Sequence, residues 1–128
     1  MQYARAMSPE PHPTEIKLRK QSRQLVVSFD NGSRFELPFE YLRVHSPSAE
    51  VKGHGPGQEV LQLGKENVGV LDIEPVGQYA IKLVFDDGHA TGLYTWKYLF
   101  ELGRDYVRKW ADYQSRVRAH EAKHGKRS

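Results

Sequence analysis

The chain has 128 residues, 38% hydrophobic and 27% charged, which suits one globular domain with one core. It contains no cysteine, which excludes disulfides, thiolate catalysis and cysteine-held zinc or iron–sulfur clusters. No apolar run approaches the ~18 residues of a membrane span, and the +3 charge is uneven: Arg104 onward carries eight Lys/Arg against Asp105, Asp112 and Glu121, making this segment +5 and the preceding body −2.

Met1 to Pro13 holds three prolines and no signal-peptide core, and reads as a flexible lead-in to a cytoplasmic domain spanning 14–122. Residues 123–128 read as a disordered basic tail. Glu15–Arg19 alternates like a strand, and Gln24–Phe29 places Leu25, Val27 and Phe29 on one face. Asp30-Asn31-Gly32 is a hairpin turn, with Asn and Gly both suited to positive φ, and the chain returns through Arg34–Leu37. Pro38 suits the first turn of a short helix ending near Val44. Residues 45–68 lack periodicity and read as an irregular loop, with a short strand expected near Val60–Leu63.

A second hairpin is expected over Gly69–Pro75 and Tyr79–Phe85, followed by an Asp86-Asp87-Gly88 turn and a helix at about Tyr94–Leu102. Phe29-Asp30-Asn31-Gly32 through Leu37 aligns without gaps with Phe85-Asp86-Asp87-Gly88 through Leu93. The shared Phe-Asp-x-Gly reads as a common hairpin solution, with a structural repeat as the alternative. Gly103 should close its helix through a left-handed cap, and a last helix should run from Arg104 to about Glu121. Val107, Trp110, Tyr113 or Gln114, and Val117 form its apolar stripe. The predicted class is α+β: mostly antiparallel hairpins, a short central helix and two C-terminal helices.

No catalytic pattern survives inspection. No His is followed two residues on by Asp or Glu, which removes the usual start of a two-His-one-carboxylate iron site. There is no P-loop and no Gly-x-Ser-x-Gly, and the Gly-rich His54-Gly55-Pro56-Gly57-Gln58 sits outside a strand-to-helix turn. Asp86 and Asp87 are expected to satisfy turn backbone donors. Tyr94, Trp96, Tyr98, Phe100, Tyr106, Trp110 and Tyr113 could cage a quaternary ammonium, but their helical spacing reads as core packing. Arg104, Arg108, Arg116 and Arg118 could bind phosphates, yet no nucleic-acid motif accompanies them and a solvated face explains them as well.

Leu42-Arg43-Val44-His45-Ser46-Pro47-Ser48-Ala49-Glu50-Val51, then Asp87-Gly88-His89 and Gly92-Leu93-Tyr94-x-Trp96-x-Tyr98-Leu99, resemble the gamma-butyrobetaine hydroxylase N-terminal-like domain over about Pro13–Tyr113. In zinc-bearing members the first stretch reads Cys-Pro-Cys-x-x-Cys, and the His of Asp-Gly-His supplies a fourth ligand. Here the thiol positions hold Ser46, Ser48 and Val51, and His89 alone remains. The resemblance thus implies a vestigial zinc position and no bound cofactor, although His45, Glu50, His54 and His89 could assemble a different site.

The family forms the N-terminal part of gamma-butyrobetaine and trimethyllysine hydroxylases, joins some P-loop iron–sulfur carrier ATPases, and occurs as stand-alone bacterial proteins, which this chain resembles. With the oxygenase half lacking, the resemblance implies a non-enzymatic accessory module. Its expected surface is His45, Ser46, Ser48, Glu50, His54 and His89, turned toward a protein partner in metabolism or iron–sulfur assembly. The rival readings are a subunit completing an iron(II)/2-oxoglutarate oxygenase in trans, and nucleic-acid binding through the basic C-terminal helix.

Overall fold

Two three-stranded antiparallel sheets, each followed by a helix, share one core in the computed structural model, which describes residues 10–53 and 59–125. The first sheet has the order β1 (Pro13–Arg19), β2 (Gln24–Phe29), β3 (Arg34–Pro38), and leads into α1 (Phe39–Val44). A one-turn α2 (Ala49–Lys52) follows. The second sheet has the order β4 (Val70–Val76), β5 (Ala80–Phe85), β6 (Leu93–Thr95), and leads into α3 (Trp96–Arg104). Helix α4 (Tyr106–His124) completes the α+β fold.

The two halves match well beyond their turns. In the first, Phe29 N–H donates to Ser33 O (2.8 Å) and Gly32 N–H to Phe29 O (3.1 Å); in the second, Phe85 N–H donates to His89 O (3.0 Å) and Gly88 N–H to Phe85 O (3.2 Å). Gly32 and Gly88 sit at φ 89° and 91°, where a Cβ would clash with the backbone. Asn31 keeps negative φ, contrary to expectation; its Oδ1 instead accepts the Ser33 N–H (3.0 Å), as Asp87 Oδ1 accepts the His89 N–H (3.1 Å). Both outer strands also slip register opposite the same Phe, between Pro13 and Glu15 against Phe29, and between Val70 and Asp72 against Phe85. A shared turn alone would not place the same bulge on the neighbouring strand, so the structural repeat is the better description.

The apolar strand faces meet as the alternation requires. Leu25, Val27 and Phe29 from β2 and Ile81, Leu83 and Phe85 from β5 lie in one buried cluster with Phe39, Tyr41 and Leu42 of α1 and Leu99 and Leu102 of α3.

Several local expectations need correction. Residues 59–63 form no strand, and α2 interrupts the irregular loop expected over 45–68. Tyr94 belongs to β6, because Thr95 starts the helix as its cap, its Oγ1 accepting from Tyr98 N–H at 3.1 Å. Gly103 lies inside α3 rather than capping it at positive φ; a Cβ there would stand 2.3 Å from the Phe35 ring. Its smallness admits the edge-to-face trio Phe29, Phe35 and Phe100, with centroids 5.3–6.0 Å apart. Val107 is 81% exposed, and Tyr106 takes its place against the core beside Trp110.

Candidate functional site

The segment that follows α1 meets the 86–89 turn of the second repeat. Helix α1 delivers Ser46 and Ser48, both buried, and the Gly88 turn aims His89 at them. His89 Nε2 lies 2.8 Å from Ser46 Oγ and 3.4 Å from Ser48 Oγ, while Nδ1 lies 3.0 Å from Glu50 Oε1. A carboxylate only accepts, so Nδ1 carries the proton and Nε2 accepts from the Ser46 hydroxyl. Ser46 Oγ in turn accepts the Ser48 N–H (3.3 Å), and Thr91 Oγ1 donates to Glu50 Oε1 (3.3 Å). Burial, then the nearby Arg43 charge, lowers the His89 pKa against the opposing pull of Glu50 and Asp87, which favours the neutral ring. Gly92 leaves room for this contact: a Cβ there would stand 2.4 Å from Ser46 Oγ.

The order Ser46–His89–Glu50 has the connectivity of a hydrolytic triad. Ser46 is completely buried, however, and its oxygen is engaged on both sides, so no acyl carbon can reach it. The residues do not fit zinc either. Serine hydroxyls are poor substitutes for thiolates, Val51 at the remaining position is buried and apolar, and no group of three or more His, Asp or Glu forms a metal cluster among the described residues. What the arrangement does chemically is hold the α1–α2 turn against the second repeat through closed hydrogen bonds.

An ion-pair anchor flanks it. Arg43, 7% exposed, donates from Nε to Asp87 Oδ2 (2.9 Å) and from Nη1 to Gln62 Oε1 (3.1 Å), and Lys65 Nζ reaches the same Asp87 oxygen (2.8 Å). Burial would raise the Asp87 pKa, but hydrogen bonds from Lys65, the His89 N–H and Arg43 hold it at about 2. Asp87 thus does satisfy a turn donor, as expected, while its other oxygen ties α1 to the 62–65 segment. Arg43 was missed by the sequence reading, although a charged residue between Leu42 and Val44 on a short apolar helix was the available signal.

Beside the network opens a groove of about 530 Å³ between the 44–46 turn, α2, residues 59–62 and α4. His45 lines it and the buried Ser46 lies within its wall; Ser48, Glu50 and His89 do not line it, and His54 lies outside the described residues. His45 Nδ1 donates to Tyr41 O (3.0 Å), so its Nε2 is an acceptor. Burial lowers its pKa to about 4; Lys109, Arg116 and Lys52 add to the effect and the Tyr41 bond opposes it.

Two tyrosines frame the groove, Tyr98 OH donating to His45 O (2.5 Å) and Tyr113 OH to Gln62 O (2.6 Å), and each is pushed up to about 12, chiefly by burial. The aromatic residues thus pack as the core reading expects, Trp110 stacking on Tyr113 with centroids 5.2 Å apart. The helix cations divide: Arg108, Lys109 and Arg116 line the groove, Arg118 lies by Glu40 and Glu66, and Arg104 pairs with Asp105 (3.0 Å). Among the described residues no helix is long and apolar enough to cross a membrane.

The family model described as gamma-butyrobetaine hydroxylase-like, N-terminal, matches residues 16–100. No curated protein matches the chain. Two solved structures, both NMR solution structures, are similar: one at 47% identity, covering 94% of this chain and 95% of its own with a TM-score of 0.77, the other at 53% identity, covering 90% and 88% with a TM-score of 0.75. A crystal structure from Acidithiobacillus ferrooxidans, described as a DUF971-family protein of unknown function, is 40% identical, covers 72% of this chain and 92% of its own, and has a TM-score of 0.61.

Proposed function

The chain belongs to the gamma-butyrobetaine hydroxylase-like N-terminal family, and on that premise we propose that it is a non-catalytic binding module whose family zinc position has been replaced by the Ser46–His89–Glu50 network. The observation that carries this reading is the groove beside that network. It is open, it is built from the family-specific turn and α4 together, and its wall is held by hydrogen bonds that engage the Ser46 hydroxyl and both His89 ring nitrogens. A locked wall loses little entropy on binding, which favours recognition by a preformed surface.

Affinity capture followed by hydrogen exchange tests the reading, with iron(II)/2-oxoglutarate oxygenases and iron–sulfur carriers as the partners to look for. A bound protein should slow exchange over residues 44–52, 59–62 and 108–116. Protection confined to the strands of either sheet would overturn it. Elemental analysis should find no stoichiometric zinc, and one full equivalent would contradict the replacement of the metal position.

A further inference from the structure

We propose that the groove beside α4 receives an acidic segment of a partner protein, its carboxylates meeting the cationic rim and an apolar side chain entering the valine-lined floor. This deepens, and rests on, the binding-module reading. Lys52 from α2 and Arg108, Lys109 and Arg116 from α4 border the groove, against only Glu59 and Asp112. Among the described residues Lys52, Lys109 and Arg116 have no carboxylate within ion-pair distance, and Arg108 reaches only the neighbouring Asp105, at 3.4 Å with its own side chain 71% exposed. Four cations from two elements around one concavity, with their own charge largely unanswered, form a complement to an anionic partner.

The floor argues for a peptide. Val44, Val51 and Val60 contribute apolar wall, Val60 being 51% exposed, and about 530 Å³ accommodates a side chain with flanking backbone. His45 adds a fixed acceptor, the kind of group that pairs with a peptide N–H. A nucleic acid fits the same walls poorly. The Tyr113 ring is buried and stacked on Trp110, and Lys52 Nζ covers Tyr98 at 4.7 Å from the ring centroid, so neither tyrosine offers an open platform for a base. Arg118 lines a separate hollow that Glu40 and Glu66 also border, so the cations also fail to form one track along α4.

A short peptide of alternating Glu and Leu, its Lys and Leu counterpart, and a single-stranded oligonucleotide are the probes, titrated into isotope-labelled full-length protein. The acidic peptide should shift amide resonances of residues 44–46, 59–62 and 108–116, with binding that weakens as salt rises. The double variant Lys109→Glu/Arg116→Glu should lose about tenfold in affinity or more and gain binding to the lysine peptide. Lys52→Glu, on the exposed end of α2, should weaken binding in the same direction and serves if the double variant unfolds. The proposal is overturned if the acidic peptide shifts nothing or shifts resonances elsewhere, if both charge-reversal variants bind it unchanged, or if the oligonucleotide binds more tightly at equal salt. Such a failure with the exchange footprint still on the groove would refute the acidic ligand alone; loss of the footprint would refute the binding module.

Discussion

Mild acid should destabilise this protein through His45 before its carboxylates titrate. In the folded chain the imidazole is held at about pKa 4, against 6.5 when free, by burial and by the Lys109, Arg116 and Lys52 charges. The group is depressed on folding, so below pH 6.5 the unfolded chain takes up a proton that the folded chain refuses. Its contribution is therefore intact above pH 6.5 and is lost as pH falls toward 4. Going from about pH 7.5 to about pH 4.5 removes roughly 2.5 kcal/mol, about three quarters of the 3.4 or so that the full shift represents. At an unfolding entropy of about 2 cal/mol/K per residue, this lowers the melting temperature by about 9 °C.

Thermal unfolding across that range, for the wild type and for His45→Gln, checks it. The glutamine amide can still donate to Tyr41 O but cannot titrate, so the variant should keep only the smaller acid sensitivity of His89 and the carboxylates. A pH slope identical in the two proteins, or a His45 ring titrating near 6.5 in the folded state by NMR, would refute the reasoning.

Three further outcomes follow from the same geometry. Gly92→Ala drives a methyl to 2.4 Å from Ser46 Oγ and 3.0 Å from Pro47 Cδ, and should cost about 1–3 kcal/mol in denaturant unfolding while displacing the His89 ring resonances; unperturbed resonances would show that the turn is not locked. Asp87→Ala strands the buried Arg43, and with Gln62 still accepting from it should cost about 2 kcal/mol, with most of the pH dependence between 3.8 and about 2 removed, since a depressed carboxylate stabilises above its unfolded pKa and loses that contribution as pH falls. In alkali the signs reverse. Tyr98 and Tyr113, raised to about 12, stabilise fully below pH 10 and lose that contribution as pH rises toward 12, so tyrosinate absorbance from these two should stay absent near pH 10 unless the chain unfolds.

Much of the fold was legible because its signals are local. Alternation in Gln24–Phe29 and Ala80–Phe85 marks the two central strands, and the paired Phe-Asp-x-Gly segments mark two hairpins of one design. Element ends were less legible. Thr95 rather than the periodicity of the following residues starts α3, and Gly103 looks like a cap until Phe35 arrives from another sheet to occupy the space beside it. The same holds for charge: nothing local distinguishes Arg116, which lines the groove, from Arg118, which lies by Glu40 and Glu66.

By itself the sequence determined the α+β class, the internal duplication's turn motif, the family, and the residues standing where thiols stand in zinc-bearing members. The tertiary structure alone decided that buried Ser46 and His89 join the exposed Glu50 carboxylate in one hydrogen-bonded relay, that Arg43 and Lys65 share Asp87, and that His45 faces the cations of α4. These pairs are separated by up to some seventy residues of chain, and no periodicity or spacing rule reports contacts across that distance. They exist because two similar hairpin units bury their apolar faces in one core, which sets the polar turn of the second unit against the segment that follows α1, where each satisfies the other.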